Sequence, residues 1–264
     1  MIDAHCHLNF PNYKTDLEEV IKRAFDKGVE KIINAGTSVE DSKKAVELSE
    51  KFENLFSIVG VHPHDAKTLQ KDWLEEIEEL AKKPKTLAIG EIGLDYFNHK
   101  DVDKKIQKEV FSKQIELAIK LKLPLQIHSR KAANDVIDIL KSFKNELPDR
   151  PGMFHCMSGD LDYLSKVLDL GFYVGFDGNI TYKGLAPGEN TPLKDLVAYS
   201  PLNRIVCETD SPFLTPVPFR GGVNEPSYVI IVAENIAKIK DSSFEEIEEK
   251  STQNVNELFK LNNT

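Results

Sequence analysis

Short apolar bursts alternate with longer stretches of helical period from one end of this chain to the other. The bursts fall at 2–8, 31–35, 56–62, 87–94, 125–128, 152–155, 172–176 and 204–208, and their length and composition predict eight strands. Between them, apolar residues recur three and four positions apart over about 15–27, 39–52, 68–82, 103–122, 131–145, 160–169, 192–199 and 226–240, with a further helix near 243–259. The stretch 103–122 sets Ile106, Val110, Leu117 and Leu121 along one face, intersperses them with lysines, and ends before Pro124. Trp73, the only tryptophan, forms a stripe with Ile77 and Leu80, which predicts packing of a helix on the sheet rather than a platform for a base. Eight strands, each followed by a helix, predict an α/β fold of the (β/α)8 TIM-barrel kind, a single domain over 1–264.

Composition narrows the class without changing the fold. Hydrophobic residues make up 41% and charged residues 29% of the 264, ordinary values for a folded globular chain. No run approaches 18 consecutive apolar residues, and the start Met1-Ile2-Asp3-Ala4-His5 has neither basic flank nor apolar leader, so a cytoplasmic protein with no membrane partner is expected. A net charge of −9 argues against a broad basic surface gripping an anionic polymer. The densest basic run, Lys82-Lys83-Pro84-Lys85, precedes the fourth strand and so belongs to the bottom of a barrel, away from any site. Three irregularly spaced cysteines, Cys6, Cys156 and Cys207, give no disulfide framework and read as small buried apolar residues. No obligate protein partner is evident.

Chemistry concentrates where such a barrel keeps its catalytic groups, at the C-terminal ends of the strands. His5 and His7 close the first predicted strand, His62 and His64 follow the third, Glu91 and Asp95 end the fourth, His128 the fifth, His155 the sixth, and Glu208 with Asp210 the eighth. Of seven histidines, only His99 lies in a connecting loop. Residues two apart in a strand share a face, so His5 and His7 form a two-nitrogen clamp while Cys6 turns to the helices. A glutamate on a central strand can bridge two cations through its two oxygens, with two histidines on either side. Two divalent ions about 3.5–4 Å apart polarise a phosphoryl group and lower the pKa of a bound water, so the expected chemistry is metal-assisted hydrolysis.

The segments His5-Cys6-His7, Gly60-Val61-His62-Pro63-His64, Gly90-Glu91-Ile92-Gly93-Leu94-Asp95-Tyr96, Ile127-His128-Ser129-Arg130, Phe154-His155-Cys156-Met157-Ser158-Gly159 and Glu208-Thr209-Asp210-Ser211-Pro212 together resemble the TatD family of metal-dependent deoxyribonucleases, within the wider amidohydrolase-like group. The resemblance runs from residue 2 to at least Asn224-Glu225-Pro226. It implies a hydrolase that removes nucleotides from DNA ends, mainly 3′ to 5′ on single strands, with two divalent ions per subunit (Mg²⁺, Mn²⁺ or Zn²⁺). By position, His5, His7, Glu91 and Asp210 would hold one ion, and Glu91, His128 and His155 the other. Asp210 would also orient or deprotonate the attacking water, and His62 and Glu208 would contact the scissile phosphate region or a further metal.

His64 stands between a substrate contact and a loop-packing role, since Pro63 separates it from the geometry of His62. Asp95 is expected to orient a ligand or to accept a hydrogen bond from a histidine rather than bind metal. Arg130 and Arg220 are candidate phosphate clamps, with a surface salt bridge as the alternative for each. Two departures from the family pattern are Lys131, where an acidic residue is common and which would raise the positive potential of the mouth, and Phe219, where a histidine is common. DNA ends or short single strands are the expected substrate. The alternative is a small-molecule amide or ester, or an aminoacyl-tRNA ester, because fold and donor set do not separate these chemistries.

Overall fold

The computed structural model describes residues 1–97 and 102–261; the predicted loop position of His99 lies outside the described residues. Eight parallel strands follow one another in chain order around a nearly closed barrel: β1 (Ile2–Cys6), β2 (Lys31–Ala35), β3 (Leu55–Val59), β4 (Thr86–Asp95), β5 (Leu125–Arg130), β6 (Gly152–Phe154), β7 (Tyr173–Phe176) and β8 (Ile205–Cys207). Around them run α1 (Leu17–Asp26), α2 (Val39–Lys51), α3 (Trp73–Ala81), α4 (Lys104–Leu121), α5 (Ala133–Ser142), α6 (Leu161–Asp169), α7 (Leu193–Tyr199), α8 (Val229–Lys240) and α9 (Phe244–Phe259). This is the (β/α)8 TIM barrel that the alternation predicts. Between β8 and β1 the seam is irregular: Asp210 N donates to His5 O at 3.0 Å, His7 N donates to Ser211 O at 2.7 Å, and Cys6 and Ser211 form a single bridge. The segment that carries Asp210 therefore also closes the barrel. Among the described residues, no helix is long and apolar enough to cross a membrane.

Apolar side chains divide into an inner and an outer core. Ile2, Ala4, Ile33, Ile58, Ala88, Met153 and Val206 fill the barrel together with Val255, Leu258 and Phe259 of α9. Cys6, Ile89, Ile92, Leu94 and Ile127 pack outward with the helices, and Trp73 and Ile77 join them, as their stripe predicts.

This division exposes a device that simple alternation hides. Ile2 and Ala4 point inward, so an unbroken strand would send Cys6 inward and His5 and His7 out. The β1–β2 register shifts between Asp3 and Cys6, and the strand leaves that irregularity with Cys6 outward and both histidines at the mouth. A second shift, between Ile89 and Ile92 in the β4–β5 pairing, does the same for Glu91, three positions after the inward Ala88. Bulges commonly re-aim side chains beside active sites. Gly93 sits just beyond, at φ 146, where an added Cβ would lie 1.9 Å from His128 O; only glycine lets β4 lie this close to the strand carrying that histidine.

One helix departs from its predicted face. Ile106 is 40% exposed, and α4 instead buries Gln107 and Gln114 among Val110, Phe111 and Ile115. Gln114 pairs with both backbone groups of Val61 (2.7 and 3.0 Å), and Gln107 with both of Asp95 (2.9 and 3.0 Å). Each amide replaces a strand neighbour where β3 and β4 run out of partners. Satisfying those buried groups outweighs burying one isoleucine. Lys85, in the basic run, bonds Ser49 O, Phe52 O and Glu53 O at the end of α2, a structural cap at the barrel bottom.

Candidate metal centre

Four donor atoms converge between β1, β4 and the β8 seam. His5 Nε2 lies 3.0 Å from His7 Nε2, 3.6 Å from Glu91 Oε2 and 3.5 Å from Asp210 Oδ1; His7 Nε2 lies 3.5 Å from Glu91 Oε2 and 3.4 Å from Asp210 Oδ1. Ligands about 2.0–2.2 Å from one tetrahedral ion sit roughly 3.3–3.6 Å from each other, so this spacing suits a shared cation. Proton positions point the same way. His5 Nδ1 pairs with Gln126 Oε1 at 2.6 Å and His7 Nδ1 with Ala35 O at 3.0 Å, and both partners only accept, so each ring in its neutral form presents a bare Nε2 inward. Two lone pairs and two carboxylate oxygens facing one another, all buried, require positive charge between them.

The other oxygen of Glu91 faces a second group. Oε1 lies 2.7 Å from His155 Nε2, 3.0 Å from His128 Nδ1 and 3.4 Å from His62 Nε2, and the two nitrogens of His128 and His155 are 3.1 Å apart. His128 Nε2 meets Asp95 Oδ2 at 3.1 Å, which leaves its Nδ1 as the donor atom. His62 differs. Its Nδ1 accepts the backbone N–H of His64 at 3.2 Å, so a neutral His62 carries its proton on Nε2 and points a donor, not a lone pair, at the centre. His62, Glu91 and His128 do form a group tight enough for an ion, but this tautomer suits His62 to an anionic oxygen.

Titration does not follow the same division: against the lowering effect of burial, Asp210 and Glu91 raise His7 above its ordinary value. Burial pushes Glu91 and Asp210 up, but the charges and hydrogen bonds of the surrounding histidines outweigh it and hold both well below the usual carboxylate range. Burial drives His5 down to about 4 and His62 well below its ordinary value. Burial also lowers His128, yet Asp95 and Glu91 override it and raise the ring to about 9. Asp210 stands at φ 53, in the left-handed region that Asp tolerates better than most residues, and such strain collects at functional sites.

The remaining expected residues fall on both sides of the reading. His64 Nε2 reaches Asp95 Oδ2 at 2.9 Å, and the same oxygen meets His128 Nε2, so Asp95 joins His64 to His128. Neither Arg130 nor Arg220 is in a surface salt bridge among the described residues. Arg130 lies over Phe97 (4.8 Å) and donates to Pro187 O, and Arg220 lies over Tyr182 (4.0 Å). Lys131 does not add free positive charge to the mouth, because Glu189 pairs with it at 3.1 Å.

Glu208 has no exposed surface; its Oε1 accepts Cys156 N and its Oε2 has no partner, which leaves no surface for a phosphate to touch in this arrangement. Burial, with Asp177 nearby, pushes its carboxyl well above the ordinary range. Two buried acids escaped the sequence reading. Asp3 accepts Thr209 N (2.9 Å) and Thr209 Oγ1 (2.7 Å), tying β1 to the turn before Asp210, and Asp177 follows β7 directly. Asp177 obeys the strand-end rule that found the others, and Asp3 lies near the start of β1, where that rule does not look. Beside the mouth, between the ends of β5 and β6, a cavity of about 440 Å³ is lined by Tyr96, Ser129, Asn134, Ser158, Tyr163 and Asn190.

A parallel eight-stranded barrel with this histidine and carboxylate cluster defines the class of metal-dependent hydrolases. The sequence matches the TatD related DNase family over residues 2–260, and the chain belongs to that family. It is 42% identical over 262 residues to the uncharacterized metal-dependent hydrolase YabD of Bacillus subtilis (strain 168), covering 99% of this chain and 100% of the relative. It is 32% identical over 265 residues, 98% of each chain, to a protein of Enterobacter lignolyticus (strain SCF1) named 3′-5′ ssDNA/RNA exonuclease TatD. Among solved structures, the TatD homologue YJJV of Escherichia coli K12 matches with a TM-score of 0.91 at 30% identity over 98% of each chain.

Proposed function

We propose that this hydrolase is a deoxyribonuclease that cleaves phosphodiester bonds at single-stranded DNA ends, in the 3′ to 5′ direction, with two divalent ions. The observation that carries this reading is the division of Glu91, whose Oε2 faces His5 and His7 while Oε1 faces His128 and His155. His5, His7, Glu91 and Asp210 would hold one ion, and Glu91, His128 and His155 the other. The ions would supply Lewis acidity to the phosphoryl oxygens and to the attacking water. Asp210, whose side chain is 13% exposed against 4% for Glu91, orients that water and accepts its proton. His62 offers its Nε2 proton to a phosphoryl oxygen, and Asp95 fixes the tautomer of His128.

Charge supports this substrate over a neutral amide or ester. Arg130 and Arg220 hold guanidinium groups on aromatic faces at the mouth with no carboxylate partner among the described residues. Such groups suit phosphate. The acidic outer surface then sets no obstacle, since attraction is local. Metal-loaded protein incubated with internally labelled single-stranded DNA should release mononucleotides from the 3′ end and stop on addition of chelator. Release from the 5′ end would reverse the polarity, and intact DNA beside hydrolysis of carboxylic esters would transfer the site to the alternative chemistry.

A further inference from the structure

Exposed apolar surface gathers around the mouth. Of the large hydrophobic side chains left open among the described residues, Phe213, Val217, Phe219 and Val223 belong to the irregular segment after β8, and Leu185 to the one after β7. Single exposed apolar residues are ordinary; a group of them at the active end of a barrel marks a binding surface.

Phe213 ties this surface to the metal centre. Its ring stands edge-on to His7, with centroids 6.3 Å apart, and to Phe10 at 5.9 Å, while Phe10 stacks on His7 at 4.7 Å. Phe213 is nevertheless 49% exposed. Its backbone is fixed: N donates to Asp210 O at 2.9 Å, and O accepts Asn224 Nδ2 at 2.5 Å, from a fully buried asparagine that also bonds Thr209 O at 2.8 Å. The fold thus spends a buried polar group on holding an aromatic face in water, three residues after Asp210. Arg220 lies in the same segment, over Tyr182, and adds a positive charge to that loop.

We propose that Phe213 is the stacking platform for the unpaired nucleobase next to the scissile phosphate, with Arg220 on a neighbouring phosphate. This rests on the phosphodiesterase reading above. Every base has a π face, so such a platform is tolerant of sequence. In a duplex, both faces of an internal base are covered by its neighbours. A platform of this kind therefore favours frayed ends and single strands, a selectivity that the ions alone do not provide.

The test uses equilibrium binding of a short phosphorothioate deoxyoligonucleotide, carrying 2-aminopurine beside the protected linkage, to the full chain loaded with Mg²⁺. Binding to the native protein should quench the fluorophore, Phe213→Ala should weaken affinity by about fivefold or more, and Phe213→Tyr should retain it. Removing that base from the oligonucleotide should weaken binding to the native protein by a similar factor and add nothing to the loss in Phe213→Ala. Equal affinities for the native protein and Phe213→Ala, or a loss that is the same with and without the base, would overturn the assignment. Unchanged affinity accompanied by loss of self-association on sedimentation would give the surface to a second copy and equally overturn it. Cleavage of the unmodified oligonucleotide separates the two readings: base-dependent binding without cleavage sinks the nuclease, and cleavage without base-dependent binding sinks the platform.

Discussion

His5 Nε2 and His7 Nε2 face each other at 3.0 Å and are both bare in the neutral rings, because the Nδ1 hydrogens are committed to Gln126 Oε1 and Ala35 O. Gln126 is itself locked, since its Nε2 donates to Ala4 O at 3.0 Å. Gln126→Leu keeps the volume and frees the tautomer of His5. Ion affinity should fall about 10- to 100-fold, as it does when such outer partners are lost. Calorimetric titration of Mn²⁺ or Zn²⁺ into chelator-stripped protein measures it, and an unchanged affinity would remove Gln126 from the account.

Asp95 gives a second, separable prediction. One oxygen serves both His64 and His128 while the other accepts Phe97 N at 2.8 Å, and the two histidine bonds, working against burial, hold the carboxyl well below its usual range. The amide of Asp95→Asn cannot accept from both rings with the same strength. The second ion should weaken by about 10- to 100-fold while the ion at His5 and His7 is retained. Equal weakening of both would mean that Asp95 acts on the whole barrel mouth rather than through His128.

The barrel was legible in the chain because both of its periods are written there, strands as apolar bursts and helices as three- and four-residue recurrences. The six candidate histidines were legible because each falls at or just after the end of a strand. What the pattern could not show depends on contacts distant in sequence. The re-phasing of β1 and β4 is set by register against neighbouring strands and not by their own residues. The tautomer of His62 depends on the backbone N–H of His64, and the burial of Gln107 and Gln114 depends on where β4 and β3 lose their partners. Ile106 was misplaced for that reason, and the full burial of Glu208 was not legible because strand-end position does not say which side of the seam a carboxyl takes.

Asp177 sets a pH dependence. Burial, with repulsion from Asp210, raises its carboxyl to about 7; Oδ1 accepts Asn179 N at 3.1 Å and Oδ2 has no partner. The folded pKa is above the unfolded one, so the folded state keeps a proton that the unfolded chain has released. This contribution is complete below about pH 4 and is lost as pH rises through 7. Asp177→Asn keeps the Oδ1 acceptor and cannot ionise. Metal-free Asp177→Asn should therefore gain on the native protein by a few kcal/mol between pH 5 and pH 8, since each tenfold difference in proton affinity between the folded and unfolded chain is worth roughly 1.4 kcal/mol. Urea unfolding at the two pH values checks it, and an identical difference at both would contradict it.

Ion binding should appear as stability. At a free concentration of about 100 times Kd, a bound ion adds ~2.7 kcal/mol, which for a chain of this size is a rise in Tm of roughly 5–10 °C. Thermal unfolding of chelator-stripped protein across a series of Mn²⁺ concentrations should show Tm climbing with the logarithm of concentration. A Tm that ignores the ion would leave the cluster a structural histidine knot.

The proposed mechanism depends on Glu91 joining two ion sites. Metal content of native protein and Glu91→Gln, determined by mass spectrometry after equilibration with Mn²⁺ and paired with turnover on single-stranded DNA, tests it most directly. Two equivalents are expected in the native protein, at most one in Glu91→Gln, and at least about a hundredfold loss of turnover. Two equivalents in Glu91→Gln with turnover intact would contradict it.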